Sequence, residues 1–168
     1  MCRDFFLMIL LILISACQRE VDGPTDNESL GGIVYSGVYV RNNTSNNFED
    51  AQNYLIHFPE NLGHQSYELF SYGQNFDVRF IDSEGNWHLI DKEYCDWLSI
   101  EIQDNVKSAD IEDNRNGRYS GFVRTMMIEW TSNVAPASRR ATLLVTSSFE
   151  GIWYGAELTI EQDGNHNF

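Results

Sequence analysis

Leu98-Ser99-Ile100-Glu101-Ile102 alternates apolar and polar side chains with period two. That period is the mark of a strand with one buried and one wet face. The same alternation recurs on both sides of it. Phe76, Val78 and Phe80 alternate with Asp77 and Arg79, and Met126, Ile128 and Trp130 with Thr125, Met127 and Glu129. Leu143 and Val145, then Leu158 and Ile160, repeat it toward the C-terminus, while Ile33-Val34-Tyr35 and Val38-Tyr39-Val40 are β-branched and aromatic. Gly, Asn and Asp clusters separate these segments, and about eight strands are expected. The pattern predicts an all-β domain over residues 33–168, an antiparallel β-sandwich. One stretch carries helical spacing: Phe48, Ala51, Tyr54, Leu55 and Phe58 follow the cap-like Asn47, enough for a turn or two of helix.

Composition narrows the function classes. The 168 residues are 42% hydrophobic and 21% charged, which excludes a disordered chain, a collagen-like repeat and a coiled coil. Eleven Lys and Arg stand against 25 Asp and Glu, for a net charge of −14. Nucleic acid is excluded as a partner on that balance, because its phosphates would be repelled.

The N-terminus speaks to location. Phe5 to Ile14 is an unbroken apolar run that reaches only ~15 Å as a helix, about half a bilayer's hydrocarbon core. It has the length of a signal-peptide core. It ends in Ile14-Ser15-Ala16-Cys17, which resembles a bacterial lipobox. Residues 1–16 are therefore expected to be a signal peptide and Cys17 the lipidated residue, and several acyl chains anchor firmly where one is marginal. Gln18 after the cysteine favours the outer membrane, with exposure at the cell surface as one outcome. Residues 17–32 are polar and rich in Gly, Pro, Asp, Asn and Ser, a flexible tether with a reach of ~20 Å. Cys2 leaves with the signal and Cys17 is consumed, so Cys95 is the remaining thiol, expected as a small buried hydrophobe beside Trp97.

Catalytic and metal signatures are thin. His57, His64, His88 and His166 are scattered, outside metal-ligand spacing. Asn105 to Gly121 is polar and expected to be a mobile loop. Its Asp110, Glu112, Asp113, Asn114 and Asn116 invite a calcium reading, but Val123 stands where an EF-hand needs its bidentate Glu. Gly117-Arg118-Tyr119-Ser120-Gly121 places its Ser one residue off a nucleophile elbow. No catalytic residue, metal or cofactor is expected.

Sugar binding asks for exposed aromatic rings beside polar groups. Phe149-Glu150-Gly151-Ile152-Trp153-Tyr154-Gly155 carries more apolar surface than a connection requires. Trp153 and Tyr154, with Phe149, are the candidate ligand-binding residues, forming a stacking platform. The competing reading extends the two strands and lets these rings cap the open end of the sandwich. Tyr72 and Tyr119 are weaker candidates.

The order of motifs in the second half resembles the BACON domain, an immunoglobulin-like sandwich of Bacteroidetes surface proteins whose name proposes carbohydrate binding. The matching elements are a strand ending in Gly85-Asn86-Trp87, then Trp97-Leu98-Ser99, a strand leading to Asn133, an Arg139-x-Ala141 strand, and a last strand closing on Gln162-Asp163-Gly164. The resemblance spans about residues 67–164. Asn105 to Gly121 is longer than the pattern expects, and residues 33–58 lie outside it, as an extra hairpin or edge strand. For the motif residues structural work is expected. Trp87 and Trp97 would fill the gap between sheets, Arg139 would fork to carbonyls of the bend that begins at Asn133, and Asn133 would brace that turn.

Three functions follow. The first is a lipid-anchored, non-catalytic envelope module that binds glycan, or holds a separate glycan-handling complex at a distance; its partners are the membrane and glycan or surface glycan-utilisation proteins. The second is an adhesion or assembly subunit that binds another surface protein. The third is a small hydrolase without a recognisable motif.

Overall fold

The computed structural model describes residues 32–113 and 117–165. The signal segment, Cys17, the tether as far as residue 31, Asn114, Asn116 and His166 lie outside these. The described residues contain twelve strands and no helix. They are β1 (Ile33–Val34), β2 (Val38–Asn42), β3 (Glu49–Asp50), β4 (Tyr54–Phe58), β5 (Gly63–Ser71) and β6 (Phe76–Ile81). There follow β7 (Trp87–His88), β8 (Leu98–Ile102), β9 (Lys107–Asp113), β10 (Gly117–Trp130), β11 (Arg139–Phe149) and β12 (Ile152–Gln162).

They form two six-stranded sheets. One runs β1-β12-β11-β6-β7, with β4 also on β12, and the other β3-β2-β5-β10-β8, with β9 also on β10. The inward positions of each alternation meet between them. Val38, Val40, Leu69, Met126 and Ile128 of the second sheet share one core with Val78, Phe80, Leu143, Val145, Leu158 and Ile160 of the first. The chain is thus an all-β, two-sheet sandwich. Pairing is antiparallel except where β1 and β4 each add in parallel to β12.

Three sequence expectations change. The helical spacing after Asn47 is overridden: Tyr54, Ile56 and Phe58 alternate inward from β4, and Asn53 at φ 61° cannot continue a right-handed helix. Asn105 to Gly121 is a hairpin of β9 and β10, not a loop. Its apolar residues Ala109, Ile111, Tyr119 and Val123 fall on one face and pack on Tyr39 and Phe70, a small second core on the outer side of the second sheet. Gly121 makes this possible. A Cβ there would strike the Ser71 carbonyl and lie 2.7 Å from the Phe70 ring.

The third change concerns tryptophan. Trp97 is buried as expected, with the Arg139 guanidinium 4.6 Å above its ring. Trp87 is instead half-buried on the outer face, in register with Ile81 and 5.7 Å from the Arg79 guanidinium. Its place between the sheets is taken by Trp130, stacked on Phe58 at 3.7 Å and donating its indole N–H to the Asn61 carbonyl.

One end of the sandwich is tied by polar side chains. Gln162 is fully buried; its amide donates to the carbonyls of Pro59, Glu60 and Thr131, and its Oε1 accepts from Arg139 Nε at 2.8 Å. Arg139 Nη2 donates to the Thr131 carbonyl, and Asn133 Nδ2 to those of Ala137 and Asp163. Asn133 braces its turn as expected, whereas Arg139 reaches Thr131, ahead of the bend, and the Gln162 side chain rather than the carbonyls of the bend that begins at Asn133.

Candidate functional site

At the other end, β11 and β12 run on to a two-residue turn at Glu150 and Gly151. Both have positive φ, 51° and 79°, the backbone of a tight type I′ hairpin. Alternation then decides where the candidate rings go. Phe149, Ile152 and Tyr154 continue the face that carries Val145, Ala156 and Leu158, while Trp153 points to the opposite side. The three candidate residues therefore form no common platform. Tyr154 is half-buried and meets Tyr72 edge-on at 4.9 Å, so it caps the end of the sandwich. Trp153 is half-buried beside Ile33, its register partner on β1. Phe149 remains 42% exposed.

Phe149 has company that its neighbours in sequence did not announce. A cleft of about 400 Å³ lies between the hairpin tip and the folded-over β9–β10 hairpin. Tyr72, Phe122 and Phe149 supply aromatic wall, and Ser108, Asp110 and Ser120 the polar wall. Tyr72 ends an aromatic chain, with Tyr119 at 5.7 Å and Phe70 at 6.4 Å, so its ring is held in place by packing. Asp110 is braced on both oxygens. Oδ1 accepts from Ser120 Oγ at 2.6 Å and Oδ2 from Arg118 Nη2 at 2.7 Å. The Ser120 bond, then Arg118, hold its carboxyl below the usual carboxylate range, which keeps it an ionised, oriented acceptor.

This arrangement can take a ligand with one apolar and one hydroxylated side. A pyranose ring has that character: its C–H face lies on an aromatic ring, and its hydroxyls donate to a carboxylate. Asp110 is the sole carboxylate lining the cleft among the described residues, whereas glycoside hydrolysis ordinarily needs two. Sequence reasoning placed Asp110 in a calcium reading and Ser120 beside a nucleophile elbow, and missed them as one site because they face each other only once β9 and β10 pair. The available signal was Ala109-x-Ile111 against Tyr119-x-Gly121-x-Val123, an apolar alternation inside a polar stretch.

Other candidates separate from this cleft. Cys95 lines a second cleft with His88, Tyr94 and Asp82. His88 Nε2 meets Asp82 Oδ2 at 2.9 Å and its ring stacks on Tyr94 at 3.7 Å. That grouping has the residue types of a thiol nucleophile's machinery, but burial pushes the Cys95 thiol up, opposite to the shift an activated nucleophile requires. His57 instead bridges to Asp163 at 2.9 Å. Among the described residues no three His, Cys, Asp or Glu side chains converge as metal ligands.

No family model and no curated protein matches the chain. Similar solved structures are distant. A Bacteroides thetaiotaomicron protein solved by NMR is 13% identical over 83% of this chain and 97% of its own, with a TM-score of 0.42. A Bacteroides ovatus GH5 xyloglucanase in complex with a XXXG heptasaccharide is 14% identical over 66% of this chain, at a TM-score of 0.32. This chain covers only 17% of that enzyme. The cadherin-like domains of zebrafish RET are 12% identical over 79% of this chain and 28% of theirs, with a TM-score of 0.38.

Proposed function

We propose that this chain is a lipid-anchored, non-catalytic β-sandwich module of the bacterial outer membrane, of BACON-like type, and that it binds glycan at the Tyr72–Phe149–Asp110 cleft. One observation carries the binding reading: an exposed ring and a pre-oriented carboxylate face the same cleft, the pair of contacts a sugar ring uses. The single carboxylate and the raised Cys95 thiol support a non-catalytic role. The anchor reading rests on the apolar run and on Ile14-Ser15-Ala16-Cys17. Any enzyme served by the module would then be a separate polypeptide.

A glycan array probed with the wild type, Phe149→Ala and Asp110→Asn tests the cleft. Binding by the wild type should fall at least tenfold in each variant, since each removes one half of the recognition. Full retention in both variants rejects the site, and silence of the folded wild type across the array rejects glycan binding.

A further inference from the structure

We propose that the tip of the β11–β12 hairpin, through Ile152 and the neighbouring Val34 of β1, seats on the lipid surface to which the chain is anchored and leaves Phe149 to the cleft. This inference rests on the anchor reading above. It follows from where the chain enters the domain. β1 runs parallel to β12 and opens with Ile33 opposite Trp153, so the polypeptide upstream of Gly32 leaves the sandwich beside the Glu150-Gly151 turn. The other terminus lies far away, where the Asn165 amide donates to the Ala135 carbonyl. The upstream segment carries the apolar run of residues 5–14 and Cys17. A flexible tether of the roughly 15 residues between Cys17 and β1 would have a root-mean-square reach of ~20 Å, short enough to let the entry end of the domain come down to the lipid headgroups.

The entry end is apolar where it would touch. Ile152 and Val34 are 45% and 44% exposed. Ile152 and Tyr154 share one face of β12, and Val34 stands opposite Tyr154 on it. Trp153 and Ile33 occupy the reverse side of the tip, half-buried, so an indole lies at the depth where amphipathic rings favour a membrane interface. Glu150 sits at the apex of the turn and the whole chain carries −14, so the fitting surface is zwitterionic rather than anionic. Leu62 and Val134, each 75% exposed, belong to the opposite end and are kept off the lipid by this orientation.

The test uses the full lipidated chain reconstituted into phosphatidylcholine vesicles whose acyl chains carry bromine, a short-range quencher of tryptophan. Co-flotation with the vesicles reads the anchor; quenching reads the docked tip. The expected result is flotation with quenching that disappears in Trp153→Phe and persists in Trp130→Phe, because Trp130 lies at the far end. Ile152→Glu should float normally but reduce the docked fraction about tenfold, the scale expected when an apolar contact becomes a charge. A chain that fails to float removes the anchor reading and this proposal with it. A chain that floats while Trp153 stays unquenched, or whose quenching comes from Trp130, overturns the docked tip and leaves the anchor standing.

Discussion

Replacing Gln162 by leucine keeps the volume of a fully buried side chain and removes only its amide. The cost can be worked group by group. Of the four partners lost, the Thr131 carbonyl still accepts from Arg139 Nη2 and the Glu60 carbonyl still accepts from the Asn133 amide. The Pro59 carbonyl and Arg139 Nε are left without the amide that satisfied them. A buried unsatisfied group costs about 1–3 kcal/mol; Pro59 is exposed and Arg139 half-buried, so each sits at the low end and Gln162→Leu should destabilise by about 2 kcal/mol. That is a sizeable part of the 5–15 kcal/mol typical of a domain, and lowers Tm by roughly 6 °C. Urea unfolding followed by tryptophan fluorescence measures it directly, since Trp97 and Trp130 are both buried. An unchanged slope with a lower midpoint is the expected form. A leucine variant within about 0.5 kcal/mol of wild type would refute the reasoning, because it would mean the added apolar burial outweighs two orphaned polar groups.

Other expectations follow from particular sites. Gly121→Ala should cost about 2 kcal/mol or more, and should loosen the β9–β10 hairpin first, read as faster amide exchange at Ile111 and Val123. Ser71→Ala and Ser147→Ala should be neutral or stabilising by up to about 1 kcal/mol in the same urea assay, because both hydroxyls are buried without a hydrogen-bond partner among the described residues. Asp82 has its carboxyl held well below the usual range by His88 and then Asn86. A depressed folded-state pKa gives stability that is fully present above the unfolded value of about 4 and is lost as pH falls through the lower folded one. Asp82→Asn should therefore flatten the acid limb of a stability–pH curve below about pH 4.

The parts legible in the sequence were those where one face is buried and one is wet. Leu98–Ile102 and Phe76–Phe80 became β8 and β6 because strict alternation leaves little choice of register. Phe48 to Phe58 misled because β3 and β4 are short and a bend at Asn53 separates them, so apolar spacings of three and four arose across a turn. The parallel additions of β1 and β4 to β12 left no local trace, since parallel neighbours are set by long-range packing. At the candidate site, the sequence pointed to the Phe149–Tyr154 segment and to Tyr72 but treated Trp153 and Tyr154 as neighbours. Strand geometry sends consecutive residues to opposite faces, and that separates them. Asp110 and Ser120 were invisible as a pair until Gly121 let β10 fold its hairpin over Phe70.

Binding of a sugar in the Tyr72–Phe149–Asp110 cleft is tested most directly by amide chemical-shift mapping of the isotope-labelled protein during titration with soluble oligosaccharides. Saturable shifts confined to Tyr72, Ser108 to Asp110, Ser120 to Phe122 and Phe149 are the predicted result. Saturable shifts gathered instead around His88 and Tyr94, or an unmoved spectrum at millimolar sugar throughout the panel, would contradict it.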